Sequence, residues 1–195
     1  MSDNSRAVPV KRKAVLRLSL AALFAALIAA GTFIAVPPFP YSPVPIVLQN
    51  LFALLSGLIL GPITGSAAVA LYLLAGALGA PVFAGASGGF VHLMGPTGGF
   101  LFGYLLSAFS AGIIAGSPSA GKKTPLWRII LAAVAGLLAV YVPGVVRLKF
   151  ALDGTWSKAL LAGFVPFIPG DIIKGVIAVI AAPRLRRAAG DLLDR

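Results

Sequence analysis

Long apolar runs alternate with short breaks rich in glycine and proline from Leu16 to Ala182. The runs lie at about 16–36, 44–60, 64–80, 95–116, 125–146 and 167–183, each near the ~17–25 residues that cross a bilayer as a helix. The breaks read "PPFPYSPVP", "GPITG", "GAPVFAGASGGFVHLMGP", "GSPSAGKKTP" and "RLKFALDGTWSKALLAGFVPFIPG", each punctuated by residues that interrupt a helix. This pattern predicts an all-α integral membrane protein with six transmembrane helices. One membrane domain, 16–183, would follow a basic segment, 1–15, and precede a basic tail, 184–195. The last break also holds "WSKALLAGF", which predicts a short amphipathic helix at the membrane surface.

Composition strengthens this reading. The chain is 59% hydrophobic and only 11% charged, about half the charged fraction of a soluble domain, and its mean hydropathy is +1.00. The net charge of +11 raises the question of nucleic acid, but the basic residues are placed as a topology signal. Of sixteen Lys and Arg, twelve fall in the N-terminal segment, the fourth break and the tail. Arg147, Lys149 and Lys158 fall on the opposite side, and Lys174 lies inside a run. Basic residues stay cytoplasmic, which puts both termini inside and argues against a phosphate-tracking surface. The first run is long for a signal peptide and is read as a retained span.

The residue inventory excludes much chemistry. There is no cysteine, one histidine and five acids, so disulfides and thiolate sites are ruled out. A metal centre or an acid–base enzyme is hard to build from this set. "GPTGG" and "SPSAGKKT" do not fit a phosphate-binding loop between strand and helix.

Asp171 and Lys174 are the leading site candidates. They sit three apart, on one face of a helix that Pro166, Pro169 and Gly170 introduce. Charge inside a span is expensive and marks a pair, a cavity or both. Two readings stay open: a capping Asp beside a snorkelling Lys, or the polar floor of a pocket that offers an acceptor and a cation. Gln49, about one turn into the second run, serves either a polar ligand or a helix–helix hydrogen bond. Tyr72 and Tyr141 serve packing or a pocket. His92 has no neighbouring ligand for a metal.

Small residues recur at four-residue spacing, which allows close helix approach in lipid. Gly95, Gly99 and Gly103 form one series, and Gly57, Gly61 and Gly65 another, both read as internal packing. "AALFAALIAA" carries two stripes, Ala21, Ala25 and Ala29 on one and Ala22, Ala26 and Ala30 on the next. Either packing or a partner protein accounts for them.

"PFPYSPVPIVLQNLFALLSGLILGPITG", "YLLAGALGAPVFAGASGGF", "LMGPTGGFLFGY" and "PFIPGDIIK", in this order, resemble the BioY family. These are the biotin-specific substrate-capture (S) components of energy-coupling-factor (ECF) transporters. The resemblance implies a six-helix S-component bundle with a biotin pocket near the external face and no catalysis or cofactor. It implies a prokaryotic cell-membrane location, a transmembrane coupling (T) protein and two cytoplasmic ATPase subunits as partners. It implies ligand contact by Asp171 and Lys174, proximity of Ser87 in the Gly-rich loop, and docking of Ala21, Ala25 and Ala29 on the coupling protein. Gln49 and Tyr72 complete the expected pocket. The alternatives are an S component for another vitamin, an intramembrane enzyme or a scaffold subunit.

Overall fold

The computed structural model describes residues 7–36 and 44–194. The Pro-rich stretch from 37 to 43, expected to be stiff and extended, lies outside the described residues. The described chain is mostly helical: α1 (Ala7–Ala30), α2 (Gln49–Leu60), α3 (Pro62–Ala77), α4 (Phe90–Met94), α5 (Gly98–Ala115), α6 (Leu126–Ala151), α7 (Trp156–Gly163) and α8 (Ile168–Leu193). A short antiparallel pair, β1 (Ala35–Val36) and β2 (Ile46–Val47), matches Ala35 with Val47 and Val36 with Ile46. This pairing brings the chain back beside the end of α1.

Among the described residues, four helical stretches are long and apolar enough to cross a membrane: Arg12–Ala30, Gly98–Ala115, Leu126–Ala151 and Trp156–Leu193. The second and third expected runs form α2 and α3, of 12 and 16 residues. At 1.5 Å per residue these reach only ~18 and ~24 Å, short of a ~30 Å hydrocarbon core. The shortfall of α2 has a local cause. Residues 44–48, read as helix from their hydropathy, instead form β2 and its flanks, where Pro45 supplies no amide hydrogen.

Both outer helices outrun their expected ends. α1 begins nine residues before the predicted start, inside the basic segment, with Pro9 tolerated in its first turn. α8 runs past Pro183 to Leu193, so the predicted tail continues the last helix rather than leaving it. α7 forms where the amphipathic pattern places it, capped by Thr155, whose Oγ1 accepts from the Lys158 amide at 3.4 Å.

The glycine series pack helices inside the bundle. A Cβ on Gly103 would lie 2.5 Å from the Val140 carbonyl oxygen, and one on Gly99 2.2 Å from that of Pro143. α5 and α6 therefore touch backbone to backbone. Gly57 approaches Ala108 of α5 in the same way, with 2.1 Å from its notional Cβ to the carbonyl oxygen. In lipid, apolar burial gives helices little drive to associate, so such dispersion contacts carry much of the packing.

The two alanine stripes of α1 differ in burial. Ala21 is 2% exposed and lies in the core beside Phe24, while Ala25 and Ala29 are half-buried against the bundle. Phe24 and Ile28 share this face, and burying these two larger side chains turns the Ala21 stripe inward. The exposed alanines are Ala22, Ala26 and Ala30, about 100° further round the helix.

Candidate ligand-binding site

The start of α8 brings Asp171 into its first turn, where free backbone amides and the positive end of the helix dipole favour a carboxylate. Lys174 follows on the same face, and its Nζ donates to Asp171 Oδ1 at 3.1 Å. Asn50, in the first turn of α2, closes the arrangement. Its Nδ2 donates to Asp171 Oδ1 at 2.9 Å, and its Oδ1 accepts from Lys174 Nζ at 2.8 Å. Tyr141 of α6 donates its hydroxyl to Asp171 Oδ2. Three helices thus meet at one carboxylate.

All three residues of the inner ring are buried: Asp171 at 7% exposure, Lys174 at 5% and Asn50 at 7%. Unpaired charges here would carry a penalty of several kcal/mol each. The ring removes that penalty by pairing the charges and by fixing the Asn50 amide, whose flip would set oxygen against oxygen. It still has unused capacity. The ammonium has a third hydrogen, the Asn50 amide a second, and the carboxylate further lone pairs. A ligand group that both donates and accepts can be met here without breaking the ring.

The ring forms the floor of a cavity of about 30 Å³, room for one or two waters. Val44, Val47 and Val140 give it aliphatic walls, and Phe100, Tyr104, Tyr141 and Phe167 aromatic ones. Phe100 and Phe167 stack with centroids 6.3 Å apart, and Tyr141 meets Phe164 edge-on at 4.7 Å. A few polar groups set in a mostly apolar, largely aromatic lining is the usual make-up of a small-molecule site.

Gln49, Tyr72 and Ser87 stand together but outside this lining. Gln49 Nε2 donates to the Tyr72 hydroxyl at 2.8 Å and to the Val82 carbonyl at 2.9 Å. Phe83 is buried beside Tyr72, edge to face at 5.6 Å. It fills the space left by Gly76, where a Cβ would lie 2.2 Å from its ring. Phe83 and Ser87 pair backbone to backbone at 2.9 and 3.2 Å, and Ser87 Oγ donates to the Ala84 carbonyl at 2.8 Å. These residues pin the Gly-rich loop over α2 and α3. His92 is exposed, its ring 6.3 Å from that of Phe83.

Membrane-length apolar helices around a buried polar ring, under a mostly aromatic cavity, define a membrane protein with an enclosed polar site. Its family follows from sequence. Residues 4–191 match the BioY family model, and the chain belongs to the BioY family. It is 43% identical over 171 residues to the "Biotin transporter BioY" of Thermotoga maritima, covering 88% of this chain and 96% of the relative. It is 41% identical over 169 residues to the "Probable biotin transporter BioY" of Pyrococcus horikoshii, covering 87% and 95%. The fold is similar to the crystal structure of an S-component for biotin from an ECF-type ABC transporter. That match has a TM-score of 0.78 at 28% identity and covers 96% of this chain and 95% of the other.

Proposed function

We propose that this chain is the biotin-capturing S component of an ECF-type transporter in the prokaryotic cell membrane. It binds biotin without catalysing a reaction, and ATP hydrolysis resides in two partner ATPases coupled through a transmembrane T protein. In this reading six helical segments cross the bilayer, α2 and α3 among them, with both termini cytoplasmic. The Asp171 end of α8 then faces outside, where capture takes place. The exposed Ala22, Ala26 and Ala30 stripe of α1 is the docking face, with Ala25 and Ala29 at its edge.

The observation that carries this reading is the Asn50–Asp171–Lys174 ring with Tyr141. Biotin presents a ureido group with two N–H donors and a carbonyl, an apolar sulfur ring and a carboxylate tail. Asp171 accepts N–H, Lys174 meets the carbonyl or the carboxylate, and the aromatic wall takes the sulfur ring. Gln49, Tyr72 and Ser87 act one layer out, holding the Gly-rich loop over the site. The cavity of about 30 Å³ is too small for a bicyclic ligand, so its walls move apart on binding.

Calorimetric titration of biotin into the detergent-solubilised chain tests the proposal, with Asp171→Asn and Lys174→Ala alongside. One-to-one binding that both substitutions weaken supports it. Folded protein that takes up no biotin refutes the substrate, and a screen of other vitamins would follow.

A further inference from the structure

The outward face between α6 and α8 carries an open apolar groove of about 540 Å³ that ends against Tyr141 and Asp171. Val134 and Leu138 form one wall, and Ile172, Val176 and Ile180 the other. From Ile168 to Ile180 it runs twelve positions, ~18 Å along the helix. That is at least the depth of one leaflet, half of a ~30 Å core.

At the far end the same two helices change chemistry. On α8 the stripe Ile172, Val176 and Ile180 continues at helical spacing to Pro183 and Arg187. On α6 the stripe from Val134 and Ile130 leads back to Trp127 and to the segment before the helix. There Lys122, Lys123, Thr124, Pro183, Arg186 and Arg187 line a cleft with four cations and no acid. Arg186 holds the cleft in shape and has little left to give a ligand. Its Nε donates to Thr124 Oγ1 at 3.2 Å and its Nη2 to the carbonyls of Ala115 and Gly116 at 2.9 and 3.0 Å. Its Nη1 reaches the Leu58 carbonyl.

Lys122, Lys123 and Arg187 are exposed and, among the described residues, in no salt bridge. The acids close by in sequence form no salt bridge with them among the described residues. Asp194 is engaged by Ser119, Ala120 and Lys13, and Asp191 is exposed, outside the cleft lining. Leu126, Trp127 and Leu185 stand exposed around the cations, the mixture found where a span meets the headgroups.

Cations at one end and a leaflet-deep apolar groove at the other match an amphiphile with an anionic head. We infer that this face holds one anionic phospholipid. Its phosphate sits among Lys122, Lys123 and Arg187, and one acyl chain lies in the near half of the α6–α8 groove, along Ile180 and Val176. A free phosphate satisfies only the head of this site, and a neutral lipid only the chain. The inference rests on membrane embedding and not on the identity of the transported ligand.

Native mass spectrometry of the full chain tests it, with phosphatidylglycerol and phosphatidylcholine of identical chains supplied together. Phosphatidylglycerol should be retained roughly tenfold or more over phosphatidylcholine, since each basic residue near an anionic lipid contributes about a factor of five. The triple variant Lys122→Gln, Lys123→Gln and Arg187→Gln should bring the two lipids to parity, and a Lys↔Arg exchange at the same positions should keep the preference. Val176→Trp, which fills the groove and leaves the cations in place, should lower retention of phosphatidylglycerol. Millimolar inorganic phosphate should not displace it. Equal retention by the native chain, a preference that survives the triple variant, or displacement by phosphate would each overturn the inference. So would a Val176→Trp variant that retains phosphatidylglycerol fully.

Discussion

Replacing Asn50 by leucine removes the neutral member of the ring with little change in volume. It deletes the 2.9 Å bond to Asp171 and the 2.8 Å bond from Lys174. Bonds to charged groups contribute about 1.5–3 kcal/mol each, so the simple sum is about 3–6 kcal/mol. The lower end applies. Asp171 and Lys174 still pair with each other at 3.1 Å, and contacting groups share their energies rather than adding them. That loss of about 3 kcal/mol falls on the folded state; biotin affinity falls only by the share that reflects displaced Asp171 and Lys174, roughly tenfold or more. Calorimetry on Asn50→Leu, Lys174→Met and the double variant separates the contributions. The pair should couple by about 1.5 kcal/mol or more, because the two side chains share a bond. Folded Asn50→Leu protein that binds biotin within about threefold of the native chain would refute the claim that this ring is the ligand floor.

Four further outcomes follow from the same geometry. Tyr141→Phe deletes only the hydroxyl that Asp171 accepts, so biotin affinity should fall roughly tenfold or more by calorimetry. Gly103→Ala puts a methyl where the Val140 carbonyl stands, and thermal unfolding in detergent should show a loss of about 1–3 kcal/mol from overpacking. Ala26→Trp, on the exposed stripe of α1, should block co-purification with the coupling module and leave biotin binding intact, whereas Ala21→Trp should lower thermal stability. Asp194, outside the spans, is held below the usual carboxylate range chiefly by the Ala120 amide, then by Ser119, with Lys13 adding to it. A depressed folded-state pKa stabilises above the unfolded value and is lost as pH falls through the folded one. Hydrogen exchange at the Ala120 amide should therefore stay protected near neutrality and open only below the ordinary carboxylate range.

The sequence disclosed the periodicity of the fold and the two charges of the site, and it failed where a helix offers no phase. Asp171 and Lys174 stand out because ionisable groups inside apolar runs are rare. Asn50 does not, although it is next to Gln49. Every residue of α2 except Phe52 is buried, so no amphipathic stripe reveals which of two neighbouring amides faces α8. The alanine run on α1 hides its orientation for a related reason. Its two stripes are interchangeable until the burial of Phe24 and Ile28 fixes the rotation of the helix. Arg186 reads as one more basic residue of a tail, and only the continuation of α8 past Pro183 brings it under the last carbonyls of α2 and α5. The length of α2 was hidden because hydropathy cannot separate an apolar strand from the start of an apolar helix.

The most direct test of the account is a structure of the chain with biotin bound, at a resolution that places the ureido ring and the carboxylate. One of these groups should lie within hydrogen-bonding distance of Asp171 or Lys174, with the sulfur ring against Phe100, Tyr104 or Tyr141. Biotin lodged instead between Gln49, Tyr72 and the Gly-rich loop, with the Asn50–Asp171–Lys174 ring untouched, would contradict it.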